Sequence, residues 1–230
     1  MPSEFDLVGI GTPSMDVLHT KTALVGRFGG PVANVVVALS KWGMKTGLIG
    51  RIGDDYYGKR LLEDFITNKV NVSRLRVDKD STSIWHINVT RDEKEILYSE
   101  YYKSLKKLSP EDTEYIKNSK SVFVRFNNHL FSTIAPMAKS KRKKLFVTLH
   151  LFESDKENEN RLKIMENCKP EIIFMNEEEI ETAGGIFDRL ISNNLVVVTR
   201  GKKGCSVYSK RGNDDFESIK VNTVDPTGAG

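Results

Sequence analysis

The sequence predicts a doubly wound, mostly parallel α/β fold with a small β excursion. Three observations carry this. Short apolar runs at Val122–Phe126, Leu145–Leu149, Ile172–Met175 and Leu195–Thr199 alternate with helical stretches, as buried parallel strands with helical crossovers do. Glycines gather where strands give way to helices. One segment, Ser83 to Tyr101, is β-prone and breaks the alternation.

The elements follow in order. FDLVGIG, from Phe5, reads as a buried strand and its turn. Val17 to Phe28 is extended. Gly29 and Gly30 open PVANVVVALSKWG, whose apolar residues recur at helical spacing, with Pro31 tolerated in the first turn and Gly43 as the stop. Thr46 to Ile52 is a strand, and a helix starting within Asp54–Tyr57 runs to Lys69. SIWHINVT and EILYSEYY flank the polar turn RDEK and predict a hairpin. Alternation sends Trp85 and Ile87 to one face and His86 and Asn88 to the other. Helix and strand alternate again from Ser109, and Ser206–Tyr208 with Phe216–Val221 reads as a late hairpin. The plan is one α/β domain over residues 1–230, with a lid near 81–101 and no second independent domain.

Composition narrows the function classes. Of 230 residues, 39% are hydrophobic and 29% charged, which suits a globular chain and not a disordered one. A net charge of +4 is too small to indicate a nucleic-acid binder. The densest basic run, Lys139 to Lys144, reads as a solvated helix end. Cys168 and Cys205 build neither a disulfide framework nor a zinc site. No apolar run reaches ~18 residues and no export signal is visible, so a cytoplasmic protein without a membrane partner is expected.

Three glycine-rich stations punctuate the chain: FGGPVAN, IGRIGDDYYG and the terminal DPTGAG. Such turns let a ligand approach the backbone and aim several N–H groups at one spot, which favours an anion. Asn176 and Glu179, three apart, fall on one face of a first helical turn. A capping asparagine in a solvated acidic run is the plainer reading of that pair.

These residues resemble a known family. GGPVANVVVALSKWGMKTGLIGRIGDDYYGK is similar to the first signature of the ribokinase-like (PfkB-type) carbohydrate kinases, and VDPTGAG to their second. FMNEEEIE resembles the family's Asn-x-x-Glu element, and VVVTRGKKGC its nucleotide-loop element. The resemblance implies a ribokinase-like fold and transfer of the γ-phosphate of ATP to a hydroxyl of a small sugar. It implies an anion hole from the N–H groups of Gly228, Ala229 and Gly230. Asp16, Gly29, Gly30 and Asn34 would bind the sugar. Asn176, Thr199, Gly201, Gly204, Asp225 and Thr227 would bind the nucleotide, and Glu179 would serve Mg2+. Asp225 and Thr227 also resemble positions near a monovalent-cation (K+) loop of some members.

The sequence departs from the family pattern in three places. The family's general base is an aspartate directly after Gly-Ala-Gly, so an aspartate is expected after Gly230, and the chain as given is expected to be C-terminally incomplete and to turn over little. His150 stands after a strand where an aspartate-containing turn is usual. Only a dozen residues separate Asp16 from Gly29, where many relatives spend more on a lid that also forms a dimer interface; a homodimer through the lid stays open. Two other readings stay open: a nucleoside kinase of the same family, with lid aromatics stacked on a base, and a non-catalytic binding protein on the same scaffold. A dinucleotide-binding dehydrogenase is disfavoured, because LVGIGTPSMD lacks a full GxGxxG.

Overall fold

A computed structural model describes residues 4–89, 94–100, 105–126, 130–149 and 156–220. The described residues divide into two compact units, those up to Lys120 and those from Ser121.

The first unit holds β1 (Phe5–Ile10), β2 (Ser14–His19), β3 (Leu24–Gly29), α1 (Pro31–Lys41), β4 (Thr46–Gly53), α2 (Tyr56–Thr67), β5 (Asn71–Asp78), β6 (Ser83–Val89), β7 (Lys94–Glu100) and α3 (Pro110–Lys117). Strand β4 lies between β1 and β5, and both pairings are parallel. It is buried along its whole length. Val32 and Val36 seat α1 on β1 because Gly9 and Gly11 carry no side chain. A Cβ at Gly9 would come within 2.6 Å of Val36 and 2.7 Å of Val32. Val8, Ile10, Leu48, Ile49, Leu61 and Phe65 complete a buried apolar layer.

A second, four-stranded sheet runs in the order β3-β2-β6-β7. Strand β2 pairs antiparallel with β3 and parallel with β6, and β6 pairs antiparallel with β7. The sequence reading anticipates the β6–β7 hairpin but treats residues 17–28 only as extended. In the structure that stretch turns back on itself and supplies half of the sheet. Strand β5 also goes unanticipated. Its Arg74 and Arg76 resemble a solvated loop, but both reach the fully buried Asp112, at 2.9 Å from Arg74 Nε. Asp112 in turn closes a capping box with Ser109 at the start of α3.

The second unit carries most of β8 (Ser119–Arg125), then α4 (Phe131–Ser140), β9 (Lys144–Thr148), α5 (Lys156–Cys168), β10 (Ile172–Asn176), α6 (Glu177–Ala183), α7 (Gly185–Asn193), β11 (Leu195–Thr199), β12 (Cys205–Ser209) and β13 (Gly212–Phe216). Strands β8 to β11 pair parallel in order, and β12 and β13 extend the sheet antiparallel. Val122, Val124, Val147, Ile173, Val196 and Val198 are buried, as near-continuous apolar parallel strands require. The late hairpin is corrected: its second strand is Gly212–Phe216, not Phe216–Val221. That strand, GNDDF, is exposed throughout and has no apolar alternation to mark it. The basic run ends α4 as expected, with Lys139, Lys141, Arg142 and Lys144 exposed.

Candidate functional site

In the first unit the site is built on β2, β3 and the start of α1. Register places Asp16 opposite Arg27 on β3 and opposite Trp85 on β6, with Ser99 of β7 beyond it. Residues in register share a face, so these four form one row across the sheet. The next row is Gly29, Ser14 and Ser83, and the other flanking row is Val25, Leu18, Ile87 and Ile96. The Asp16 carboxylate accepts a hydrogen bond from Ser14 Oγ at 3.2 Å and lies over Gly29, where a Cβ would overlap it. Gly30 has φ +90°, open to glycine at little cost, and its carbonyl accepts the N–H of Asn34 at 3.0 Å in the first turn of α1. The structure therefore brings Asp16 onto Gly29, with Gly30 next in the chain and the Asn34 backbone tied to Gly30. His86 takes the opposite face, as alternation dictates. There it stacks on Tyr98 at 4.1 Å and shares a 2.9 Å hydrogen bond with His19.

The second glycine station turns from β4 into α2. Asp55 caps α2, accepting from Gly58 N at 2.7 Å, and it also accepts from Thr82 N at 2.7 Å and Thr82 Oγ1 at 2.8 Å. Thr82 Oγ1 accepts the N–H of Gly53 at 3.0 Å. Burial pushes the Asp55 carboxyl up, but the hydrogen bonds from Thr82 and Gly58 together outweigh it and hold it below the ordinary value. Behind this turn, the buried Arg51 donates from Nε to Asp78 at 2.7 Å and from its guanidinium to the Ser81 carbonyl. The Arg51 hydrogen bond lowers the Asp78 carboxyl against the opposing effect of burial.

In the second unit the candidates stand at the carboxyl ends of β10 and β11, the edge where open α/β sheets bind ligands. Asn176 and Thr199 are register partners. Asn176 caps α6: its Oδ1 accepts from Glu179 N at 2.8 Å, and Glu179 Oε2 accepts from Asn176 N at 2.9 Å. The pair is thus a reciprocal capping box, and that box fixes the Glu179 carboxylate at the sheet edge. Beyond Thr199 a 3-10 turn (Gly201–Lys203) is closed by Arg200 N to Gly204 O at 2.8 Å. Gly201 and Gly204 have φ +53° and +94°, and a Cβ at Gly204 would run into the backbone at Phe216. Lys203 sits 3.6 Å from Glu177, so the turn and the start of α6 are linked by charge as well.

Asp225, Thr227, Gly228, Ala229, Gly230 and His150 lie outside the described residues. Sequence reasoning missed Thr82 and Arg27 as neighbours of the candidate residues, whereas Trp85 was already expected on the hairpin that covers the pocket. For Arg27 the signal was available only once β2 was recognised as a strand, since its place beside Asp16 follows from register. Among the described residues no cluster of three His, Cys, Asp or Glu side chains is placed to hold a metal, and no helix is long and apolar enough to cross a membrane.

The chain matches the sequence model described as pfkB family carbohydrate kinase over residues 5–230. It is 25% identical over 221 residues to a fructokinase of Solanum tuberosum, covering 88% of this chain and 67% of that protein. The adenosine kinase of Sinorhizobium meliloti superposes with a TM-score of 0.77 at 18% identity, covering 96% of this chain and 82% of the other. A sugar kinase of Pyrococcus horikoshii in complex with ATP superposes with a TM-score of 0.73 at 20% identity, covering 95% and 79%.

Proposed function

Because the chain belongs to the pfkB family of carbohydrate kinases, we propose that it moves the γ-phosphoryl group of ATP to a hydroxyl of a small sugar, with Asp16 holding the acceptor. The observation that carries this is the Asp16 carboxylate seated over Gly29, in one row with Arg27 and Trp85. A carboxylate accepts two sugar hydroxyls at once, and an aromatic face covers the apolar side of a sugar ring. Gly29, Gly30 and Asn34 complete the acceptor side. Asn176, Thr199, Gly201 and Gly204 bind the nucleotide, with Asp225 and Thr227. The N–H groups of Gly228, Ala229 and Gly230 form the anion hole for the transferring phosphoryl group.

A single fixed carboxylate cannot cage a bare cation. It does suit hydrated Mg2+, which keeps waters and phosphates as its other ligands. Glu179 is that carboxylate, and Asn176 holds it in place. The ion, when bound, neutralises phosphate charge; K+ would belong to the Asp225–Thr227 loop. The free state of both cysteines suits a cytoplasmic setting. Exposed Leu24, Val25, Ile96, Leu97 and Tyr98 on β3 and β7 support a homodimer through this sheet.

A nucleoside acceptor is the second reading, favoured by Trp85 standing in the Asp16 row, where a base would stack. Calorimetry with fructose, ribose, a keto-deoxy sugar acid and adenosine, each with and without a non-hydrolysable ATP analogue, tests both. Binding of a sugar that Asp16→Asn weakens is the expected result. Adenosine binding without sugar binding selects the nucleoside reading, and no binding of any acceptor overturns both.

A further inference from the structure

An open groove of about 550 Å³ lies in the second unit, at the edge of its sheet opposite Asn176 and Thr199. Glu171 and Leu195 in its wall stand where β10 and β11 begin, whereas Asn176 and Thr199 are where they end. Lys169 enters from the end of α5, and Lys210 and Arg211 from the turn between β12 and β13. None of these three cations makes an ion pair among the described residues. Glu171 is the only carboxylate in the wall. The carboxyl ends of α5 and α7 also face this region, and each contributes roughly half a negative charge. The groove still keeps about one positive charge in excess.

Its polar chemistry is not purely cationic. Asn194, more than nine-tenths buried, is a wall residue. Its amide nitrogen donates to the Leu190 carbonyl at 2.9 Å, which turns Oδ1 away, and that Oδ1 is buried without a hydrogen-bond partner. An orphaned acceptor of this kind costs free energy until a donor reaches it. That oxygen is closed off from solvent as the side chain stands, so a donor in the groove reaches it once the Asn194 amide turns toward the wall it lines. Asn194 and Glu171 both accept hydrogen bonds, as a hydroxyl-bearing ligand needs, while the cations require an anion.

We propose that this groove is a second ligand site that takes a phosphorylated polyol, with Lys169, Lys210 and Arg211 on the phosphate and Glu171 and Asn194 on hydroxyls. Neither a neutral sugar nor a bare anion satisfies both halves of the wall. The site does not depend on the kinase reading, since none of its residues belongs to the acceptor or nucleotide groups assigned above.

The test is calorimetric titration of the protein with glucose 6-phosphate, glucose and inorganic phosphate, repeated in about 0.5 M salt, where screening is strong. Glucose 6-phosphate is expected to bind and to weaken with salt, with glucose and phosphate each weaker by about tenfold or more. The double substitution Lys210→Gln with Arg211→Gln lies in an exposed turn. It is expected to loosen glucose 6-phosphate by about tenfold or more while leaving ATP binding unchanged. Lys169→Gln alone provides the same readout should the double variant fold poorly. Failure of glucose 6-phosphate to bind at about 10 mM, equal binding by both variants, or phosphate binding as tightly as the sugar phosphate would each overturn the proposal.

Discussion

The Asp16 carboxylate occupies the space that a side chain on Gly29 would need, so one residue's lack of a Cβ positions the other's charge. Gly29→Ala is expected to displace that carboxylate and Asp16→Asn to discharge it. Either change should weaken acceptor binding by roughly 1.5–3 kcal/mol, the worth of a hydrogen bond to a charged group, with nucleotide binding nearly untouched. Separate titrations of sugar and ATP analogue measure this. An equal loss of both affinities would mean that the fold, not the pocket, was damaged.

Thr82 joins two parts of the second glycine station, accepting from Gly53 N and donating to Asp55. It is 1% exposed, so water cannot replace its hydroxyl. Thr82→Val keeps the shape and removes both bonds. A loss of about 1–3 kcal/mol in urea unfolding is expected, with the slope unchanged.

Acid should loosen the same region. Asp55 and Asp78 both titrate below their ordinary value of 3.8 in the folded chain. Their contribution is therefore complete above about pH 4 and is lost as pH falls through the lower folded values. Thermal melts from neutral pH down to the acid range should show the decline. Asp55→Asn should be less stable near neutrality and should lose less on acidification than the parent protein. A variant with the parent's full acid slope would remove Asp55 from the account.

Glu179 has two roles that one substitution separates. Glutamine at this position still closes the capping box with Asn176, so Glu179→Gln should leave the melting temperature nearly unchanged. If its charge serves the metal, kcat in a turnover-competent protein falls by about 10²-fold or more. Asn176→Ala should instead cost about 0.5–2 kcal/mol of stability through the lost cap. Unchanged kcat in Glu179→Gln would leave the pair with a capping role alone.

Ile96, 59% exposed on the outer strand of the four-stranded sheet, tests the proposed homodimer. Sedimentation of the parent protein is expected to show dimers, and Ile96→Glu to weaken association by roughly 1.5–3 kcal/mol, the worth of burying such a side chain. A parent protein that stays monomeric at high concentration removes the dimer.

The parallel strands were legible because their apolar runs are local and nearly uninterrupted, as at Val122–Val124 and Val196–Val198. Helix starts were legible where a glycine pair or an Asn-x-x-Glu spacing fixed them. Strand β5 was not, because its arginines need a carboxylate more than thirty residues downstream, and local pattern carries no trace of Asp112. Strand β2 was obscured by its brevity and by its mixture of polar and apolar residues. The individual residues Asp16 and Gly29 were singled out from a family resemblance, but their mutual dependence became visible only through the pairing of β2 with β3. The Asn176–Glu179 spacing was legible as a helix start, and the structure supplies both halves of the reciprocal cap.

Strand β13 carries Asn213, Asp214 and Asp215 in succession, and Asp215 is held by Arg200 at 2.9 Å. A strand of that composition has little intrinsic tendency to be one. Its charges make it a poor template for any extended segment that arrives alongside, because each added strand would bring its backbone up against a row of carboxylates. The outer strand of the other sheet carries its charges only at its ends, Lys94, Glu95 and Glu100, and its middle, Ile96, Leu97 and Tyr98, has no such deterrent. Misassembly in a concentrated solution should therefore begin at β7 and spare β13, and charge added at Leu97 should improve solubility where charge removed at Asp214 should impair it.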